Sequence, residues 1–350
     1  MSRPGHAGEG RPAAGAPGHT GRARAWAELL RLPALFTVPG DALAGAAATG
    51  GRANSRTLLA IGSSLCLYEA GMALNDWADR AEDAVERPHR PLPSGRVHPT
   101  AALAAACAFT GAGLSLAALA GRPALTVAVP LATTVWAYDL SLKRTAAGPT
   151  AMAAARGLDL LLGAAATTGT GATSGGVRAA LPSAALLGAH TLAVTTVSRR
   201  ETQGGAPLAA LAALTTTAVL SRLLTRPPGK RGSPTGPDIG PRAEPGTGTP
   251  PMPTTTPDPP TPTPTPTLPV TDALRTALTA AYATTVVRPY FHAALNPSPP
   301  LTQRAVGAGI RAMIPLQCAL TARSGAPVAA LFTAALSPLA ARFARKVSVT

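Results

Sequence analysis

Long apolar runs alternate with short polar segments along most of the chain. A transmembrane helix needs about 20 apolar residues, and runs of roughly that length recur. The predicted spans are 33–50, 56–74, 100–120, 123–138, 150–170, 179–197, 206–224, 271–291, 302–321 and 326–342. Because Arg304 and Arg311 fall in the ninth run, we expect it to lie partly at the interface or to form a bent hairpin with the tenth. The pattern predicts an all-α protein, a polytopic transmembrane helical bundle of about nine or ten helices.

Two polar segments do not fit this pattern. Residues 1–24 are rich in Gly, Pro and Arg, and we predict a disordered cytoplasmic tail. Residues 226–270 are rich in Pro and Thr, and proline at alternate positions prevents both helices and sheet ladders, so we predict a disordered tether. The first transmembrane unit is then 25–225, with both polar motif loops, and the C-terminal helices occupy 271–350. Asp272 is expected at the start of the helix after the tether.

The composition agrees with helices packed closely in lipid. Only 13% of the residues are charged and 3% are aromatic, whereas soluble domains carry about 25% charged residues. Much of the apolar content is alanine, and small residues let helix axes approach one another in a membrane. The three cysteines, Cys66, Cys107 and Cys318, lie in apolar segments without paired spacing, so the sequence indicates neither a disulfide framework nor a zinc site.

The net charge of +15 raises the question of nucleic-acid binding. The basic residues lie between apolar segments instead of along one amphipathic face, so we expect no nucleic-acid partner. Thirteen of them fall in the N-terminal segment and in the loops after helices two, four and six, whereas the alternate loops carry four. Basic loops stay on the cytoplasmic side. The chain is therefore predicted to be a multi-pass protein of the cell membrane, with its N-terminus and polar motif loops in the cytoplasm.

Carboxylates are concentrated at the end of the second apolar run. If its helix continues through Ala84, then Asp76, Asp79 and Asp83 lie on one face, and Asn75 is a neighbour of Asp79. Like charges on one helical face repel, and Mg²⁺ is a hard cation that binds carboxylate oxygens together with substrate phosphates. The alternative is a solvated helix end whose acids pair with Arg80, Arg87 and Arg90.

Further charged residues flank this cluster. Arg87 and Arg90 bracket Pro88 and either bind a diphosphate, whose oxygens match guanidinium groups, or pair with the acids in a rigid turn. Glu69 lies deeper on the same helix. We expect it to be either an acceptor-site residue or the partner of a buried arginine.

Two segments carry a family resemblance. The first, NDWADRAEDAVERPHRPLPSG, resembles the signature of the UbiA family of intramembrane prenyltransferases, N-D-x-x-D-x-x-x-D followed by R-P-x-R-P-L-P-S-G. The second, YDLSLKR, is similar to the family's Y-x-x-x-x-K-R segment, with Arg156 further on. The resemblance covers about residues 25–225 well and the last helices loosely.

The resemblance implies a function and a set of site residues. The chain would transfer a prenyl group from a prenyl diphosphate to an unidentified acceptor, with Mg²⁺ assisting the departure of diphosphate. Asp76, Asp79 and Asp83 would be metal ligands, and Lys143 and Arg144 would stabilise the leaving group. Residues expected to bind substrate are Asn75, Arg87, Arg90, Tyr138, Arg156, Arg199, Arg200 and Glu201.

One segment departs from the family pattern. The family carries a second aspartate motif after helix six, where this chain reads VSRRETQGG, with Glu201 as its one carboxylate. One interpretation is that a single strongly bound metal suffices and that Arg199 or Arg200 supplies further positive charge. Glu201 would then hold one of these arginines or a weak second metal. The alternative is that the segment is a solvated turn. Asp139 and Asp159 are the other acids nearby, and Asp159 is expected to pair with Arg156.

Two other functions remain to be weighed. A lipid-binding, phosphate-binding or transport protein could use the same scaffold without chemistry, and the depleted second motif favours that alternative. An alcohol phosphatidyltransferase needs a D-G-x-x-A-R core, and no aspartate of the cluster is followed by glycine.

Overall fold

The structure, a computed structural model, describes residues 19–169, 175–201, 204–226 and 270–347, and these ranges contain helices and no β-strand. In chain order the helices are α1 (His19–Leu29), α2 (Val38–Ala48), α3 (Ser55–Ala78), α4 (Arg80–Glu86), α5 (Pro99–Ala120), α6 (Arg122–Ala137), α7 (Gly148–Thr168), α8 (Gly175–Ser198), α9 (Pro207–Thr225), α10 (Val270–Leu295), α11 (Pro299–Arg311), α12 (Met313–Arg323) and α13 (Pro327–Val347). A 3-10 segment, Leu32–Thr37, precedes α2, and a π-helical turn, Tyr138–Leu142, follows α6.

Six segments of the described chain are long and apolar enough to cross a membrane. They are Ser55–Ala78, Pro99–Ala120, Arg122–Leu142, Gly176–Ser198, Pro207–Thr225 and Pro299–Arg323. The prediction of an all-α bundle with several membrane-spanning helices is confirmed. Three other predicted spans correspond to α7, α10 and α13, which lie outside this set.

The first predicted span, 33–50, is not one long helix. Its first part is the 3-10 segment, and α2 has only 11 residues, with Pro39 in its first turn. Proline lacks the N–H that a helix interior needs, but it is tolerated at a helix start. Pro39 therefore marks where an α-helix can begin.

The ends of the predicted segments also need correction. The ninth span is divided at Ala312 into α11 and α12. After α12 the chain turns at Gly325 (φ +80°), and α13 packs against α12, which confirms the bent hairpin. Residues 19–24, assigned above to the disordered tail, belong to α1. The rest of the tail and nearly all of the tether (227–269) lie outside the described residues.

Helix α2 contacts the middle of α7 through two glycines. A Cβ atom at Gly45 would lie 1.9 Å from the Leu160 carbonyl oxygen, and one at Gly163 would lie 2.3 Å from the Ala42 carbonyl oxygen. Neither distance leaves room for a side chain. The two backbones are thus in contact, as small residues permit in membrane helix pairs.

A buried ion pair connects the same two helices. Arg156 of α7 contacts Asp41 of α2, which is fully buried, and Gln317 of α12 donates a hydrogen bond of 2.6 Å to the other oxygen of that carboxylate. The expected pair between Arg156 and Asp159 is therefore wrong. Asp159 instead accepts a hydrogen bond from Ser64 of α3, because Arg156 faces α2.

The glycine contact gives a first prediction. Gly163→Ala should lower the unfolding temperature in detergent, because the added methyl group overpacks the α2–α7 contact at a cost of about 1–3 kcal/mol. Gly111→Ala is the matched control, since nothing lies within 4 Å of its Cβ position. An exposed helical glycine should gain stability from the same change. Equal shifts in the two variants would contradict the close contact.

The buried ion pair gives a second prediction. Arg156→Met should destabilise the fold by about 3–5 kcal/mol, because it leaves a buried carboxylate without its cation. The double variant Asp41→Leu/Arg156→Met should recover a large part of that loss. Denaturation of all four members of this cycle measures the coupling. A double variant no more stable than Arg156→Met would show that the pair is not coupled.

Candidate active site

The carboxylate cluster lies where α3 ends. The predicted continuous helix is interrupted at Asp79, whose backbone (φ −88°, ψ 2°) leaves the helical region before α4 begins at Arg80. Backbone hydrogen bonds persist on both sides, from Asp79 N to the Asn75 carbonyl (3.0 Å) and from Asp83 N to the Asp79 carbonyl (2.8 Å). The interruption is therefore a local bend.

Asp76 and Asp83 form one half of the site. They are 5% and 3% exposed, so they are not acids of a solvated helix end. Nη1 of Arg90 lies 2.7 Å from Oδ2 of Asp83 and 3.7 Å from Oδ1 of Asp76. Arg31, just after α1, lies 3.2 Å from Oδ1 of Asp76, and Arg87 lies 3.7 Å from Oδ1 of Asp83. Both carboxylates thus converge on one guanidinium nitrogen.

Asp79 belongs to the other half, beside the loop that follows α6. Nζ of Lys143 lies 2.6 Å from Oδ1 of Asp79, and the lysine side chain is 13% exposed. Arg144 reaches the same oxygen at 3.2 Å and Glu82 Oε2 at 2.5 Å. The preceding π-helical turn closes with a hydrogen bond from Lys143 N to the Tyr138 carbonyl (2.9 Å). Such single π turns are frequent at functional sites.

The site also contains two residues that the sequence analysis did not assign to it. Asp139 is 4% exposed and accepts a 3.0 Å hydrogen bond from Asn75 Nδ2. Its position next to Tyr138 in the second motif was the available signal. Arg31 was counted only as a loop charge, and no local pattern connects it with Asp76, 45 positions away.

A cavity of about 290 Å³ extends from these groups between α3, α6 and α7. Asn75, Tyr138 and Asp139 lie at its polar end, while Arg156 and Asp159 line it more deeply. Most of the remaining wall is apolar and comprises Leu67, Gly71, Met72, Leu131, Val135, Met152 and Ala155. The space thus combines a charged entrance with a mostly apolar interior.

Glu69 does not line this cavity. It is 6% exposed, and neither carboxylate oxygen has a hydrogen-bond partner. The predicted arginine partner is therefore not found among the described residues.

Among the described residues of the segment in the place of the second aspartate motif, only Arg199 forms a side-chain hydrogen bond with a loop of the site. Arg199 donates a hydrogen bond to the Thr145 carbonyl, next to Arg144. The side chains of Arg200 and Glu201 form no ion pair or hydrogen bond with the described parts of the chain. Three predicted cytoplasmic loops, after α4, α6 and α8, nevertheless meet at this end of the bundle.

Part of the donor set meets the needs of a magnesium ion. Within the described ranges, no three His, Cys, Asp or Glu side chains form a ready-made metal cluster. The predicted ligands are divided, with Asp76 and Asp83 on Arg90 and Asp79 on Lys143. Proteins often hold Mg²⁺ through one or two carboxylates, with substrate phosphates and water as the other ligands. Asp76 and Asp83 fit that kind of site.

Curated relatives match part of the chain. Digeranylgeranylglyceryl phosphate synthase of Methanopyrus kandleri is 35% identical over 127 residues, which cover 35% of this chain and 45% of that protein. The protein of the same name from Ignicoccus hospitalis is 34% identical over 126 residues, covering 36% and 41% respectively. The chain spans less than half the length of these relatives.

Solved structures share the fold more widely. A UbiA homolog from Aeropyrum pernix K1, without ligand, has a TM-score of 0.60 at 18% identity and covers 82% of this chain and 96% of that one. A UbiA homolog from Archaeoglobus fulgidus bound to DMAPP and Mg²⁺ has a TM-score of 0.52 at 16% identity, covering 82% and 98%.

The family model described as the UbiA prenyltransferase family matches residues 35–224, more than half of the chain. These residues include both sequence motifs and the helices that line the cavity. The chain therefore belongs to the UbiA prenyltransferase family.

Proposed function

We propose that this protein transfers a prenyl group from a prenyl diphosphate to an acceptor within the membrane, with Mg²⁺ as cofactor. The observation that carries the proposal is the charged entrance of a mostly apolar cavity, where carboxylates and cations alternate. The UbiA homolog from Archaeoglobus fulgidus bound to GPP and Mg²⁺ supports this choice of ligands. By their names, the curated relatives synthesise digeranylgeranylglyceryl phosphate.

The charges of the site support a requirement for a metal. Five carboxylates (Asp76, Asp79, Glu82, Asp83 and Asp139) are matched by five cations (Arg31, Arg87, Arg90, Lys143 and Arg144). A diphosphate brings roughly three negative charges into this balanced site. With two of these charges balanced by one bound Mg²⁺, Arg199, whose guanidinium reaches the loop of Arg144, would offset the remainder.

The protein's own groups act on the diphosphate end of the substrate. We assign Asp76 and Asp83 to the metal, while Asp79 orients Lys143. When bound, Mg²⁺ supplies Lewis-acid neutralisation of the diphosphate oxygens. Arg90 and Arg31, released from the two carboxylates, and Lys143 and Arg144 donate to the same oxygens as the bond to C1 breaks.

The cavity acts on the prenyl end. Leu131, Val135 and Met152 provide an apolar wall that keeps water from the allylic cation left at C1. Tyr138 and Asn75 lie at the boundary between the two regions and orient the reacting carbon. The acceptor atom forms its bond to C1 there and releases its proton towards the entrance. We place this entrance on the cytoplasmic face of the cell membrane, from the distribution of basic loop residues.

A non-catalytic phosphate-ligand or lipid protein is the second candidate. One observation favours it: in the place of the second aspartate motif, the Glu201 side chain forms no ion pair or hydrogen bond with a described residue. Formation of a prenylated product distinguishes the two functions.

The proposal predicts the effect of removing the acids. Membranes that contain the protein should convert labelled prenyl diphosphate to a prenylated lipid, and Asp83→Asn or Asp79→Asn should lower the rate at least about 100-fold. Mass spectrometry of the lipid products measures this. Glu86→Gln is the control, an exposed acid on the same short helix, and should retain full rate. Unchanged turnover in both aspartate variants would refute the assignment.

The single-metal arrangement makes a further prediction. Glu201→Gln should leave the magnesium concentration for half-maximal turnover unchanged, because within the described residues this carboxylate shares no ion-pair or hydrogen-bond partner with Asp76 or Asp83. Arg199→Gln should raise KM for the prenyl diphosphate at the same magnesium dependence. A higher magnesium requirement in Glu201→Gln would instead demonstrate a second metal held by that residue.

A further inference from the structure

Two arginines, one buried and one partly exposed, lie at the end of the bundle opposite the carboxylate site. Arg275 lies in the first turns of α10 and is 8% exposed, and Arg323 is the last residue of α12. The end of α10 that lies on the side of the carboxylate site is Leu295. It is 20 residues from Arg275, a distance of about 30 Å at the rise of an α-helix. This pair is therefore separate from the site described above.

The charges of this pair are incompletely compensated. Asp272 lies 3.1 Å from Nη1 of Arg275, and no carboxylate of the described chain pairs with Arg323. Nε of each arginine is buried without a hydrogen-bond partner. The two guanidinium groups are also close enough to interact electrostatically with each other. Placing two like charges beside one acid, with one of the two buried, is unfavourable unless another anion is present.

A third unsatisfied group lies on the adjoining helix. The Ser221 hydroxyl of α9 is buried and has no partner. Helices α9 and α10 run antiparallel, since Gly205 before α9 lies beside Pro297 after α10. Thr217 of α9 lies near Tyr282 of α10. One turn further along α9, Ser221 lies at the level of Leu278, about one turn from Arg275 on α10. Because α9, α10 and α12 contact one another, the three unsatisfied groups belong to one junction.

We propose that this junction, formed by Arg275, Arg323 and Ser221, binds a phosphate group. Guanidinium N–H donors match phosphate oxygens, and a hydroxyl adds a further donor. The head group of an anionic lipid offers phosphate oxygens to such donors, and a free phosphate ion offers the same oxygens. The site is independent of prenyl transfer.

Three ligands distinguish a lipid head group from a free phosphate ion as the bound group. They are phosphatidylglycerol, diacylglycerol and inorganic phosphate. The full-length protein is purified in detergent with EDTA, which prevents magnesium-dependent binding at the carboxylate site. Native mass spectrometry counts retained lipid, and thermal unfolding measures stabilisation by each ligand. We expect phosphatidylglycerol to raise the unfolding temperature and diacylglycerol, with the same tails and no phosphate, to have no such effect.

The variants assign the effect to the junction. Arg323→Gln should weaken phosphatidylglycerol binding about tenfold or more. Arg222→Gln, an exposed arginine at the same end of α9, should bind as the wild type does. If Arg323→Gln does not fold, Ser221→Ala provides the milder test and should weaken binding in the same direction.

Each outcome decides the proposal. Stabilisation by inorganic phosphate alone, lost in Arg323→Gln or Ser221→Ala, supports the site and identifies the free ion as its ligand. Equal stabilisation by phosphatidylglycerol and diacylglycerol would overturn the proposal. So would equal binding by the Arg222→Gln, Arg323→Gln and Ser221→Ala variants.

Discussion

Carboxylates can be held at the end of an apolar helix only when cations or hydrogen-bond donors lie against them. Here these partners come from distant parts of the chain. Arg31 follows α1, Arg90 belongs to the proline-rich turn after α4, and Lys143 follows α6. The positions of three connecting segments therefore depend on the acids of α3 and α4. The same balance makes the site sensitive to any ligand that adds net negative charge.

A second set of buried polar and charged groups borders the cavity. The Asp41 carboxylate is shared by Arg156 and Gln317, so that α2, α7 and α12 are held in one arrangement. Close glycine contacts between α2 and α7 bring these groups within reach. Because Arg156 also lines the cavity, the packing of a short helix outside the main motifs influences the shape of the binding space.

The sequence predicted the features that depend on local pattern. The apolar period identified most long helices, and the two motifs identified Asp76, Asp79, Asp83, Lys143 and Arg144, which the structure gathers at one end of the bundle. The bend at Asp79 was not predicted, because helix-favouring residues continue on both sides. The Asp41–Arg156 pair and the contact of Arg31 with Asp76 join positions 115 and 45 residues apart. Pairings of that kind arise from tertiary packing, which periodicity and spacing do not encode.

The central claim is that the carboxylate end accepts a diphosphate only together with a divalent cation. Titration calorimetry of the purified protein with a non-hydrolysable geranyl thiodiphosphate, in Mg²⁺ and in EDTA, tests it without any acceptor. Neutralisation of the added charge is worth several kcal/mol, so we expect affinity at least about 100-fold higher in Mg²⁺. Equal affinity in EDTA would contradict the account, because the existing cations alone would then suffice for the diphosphate.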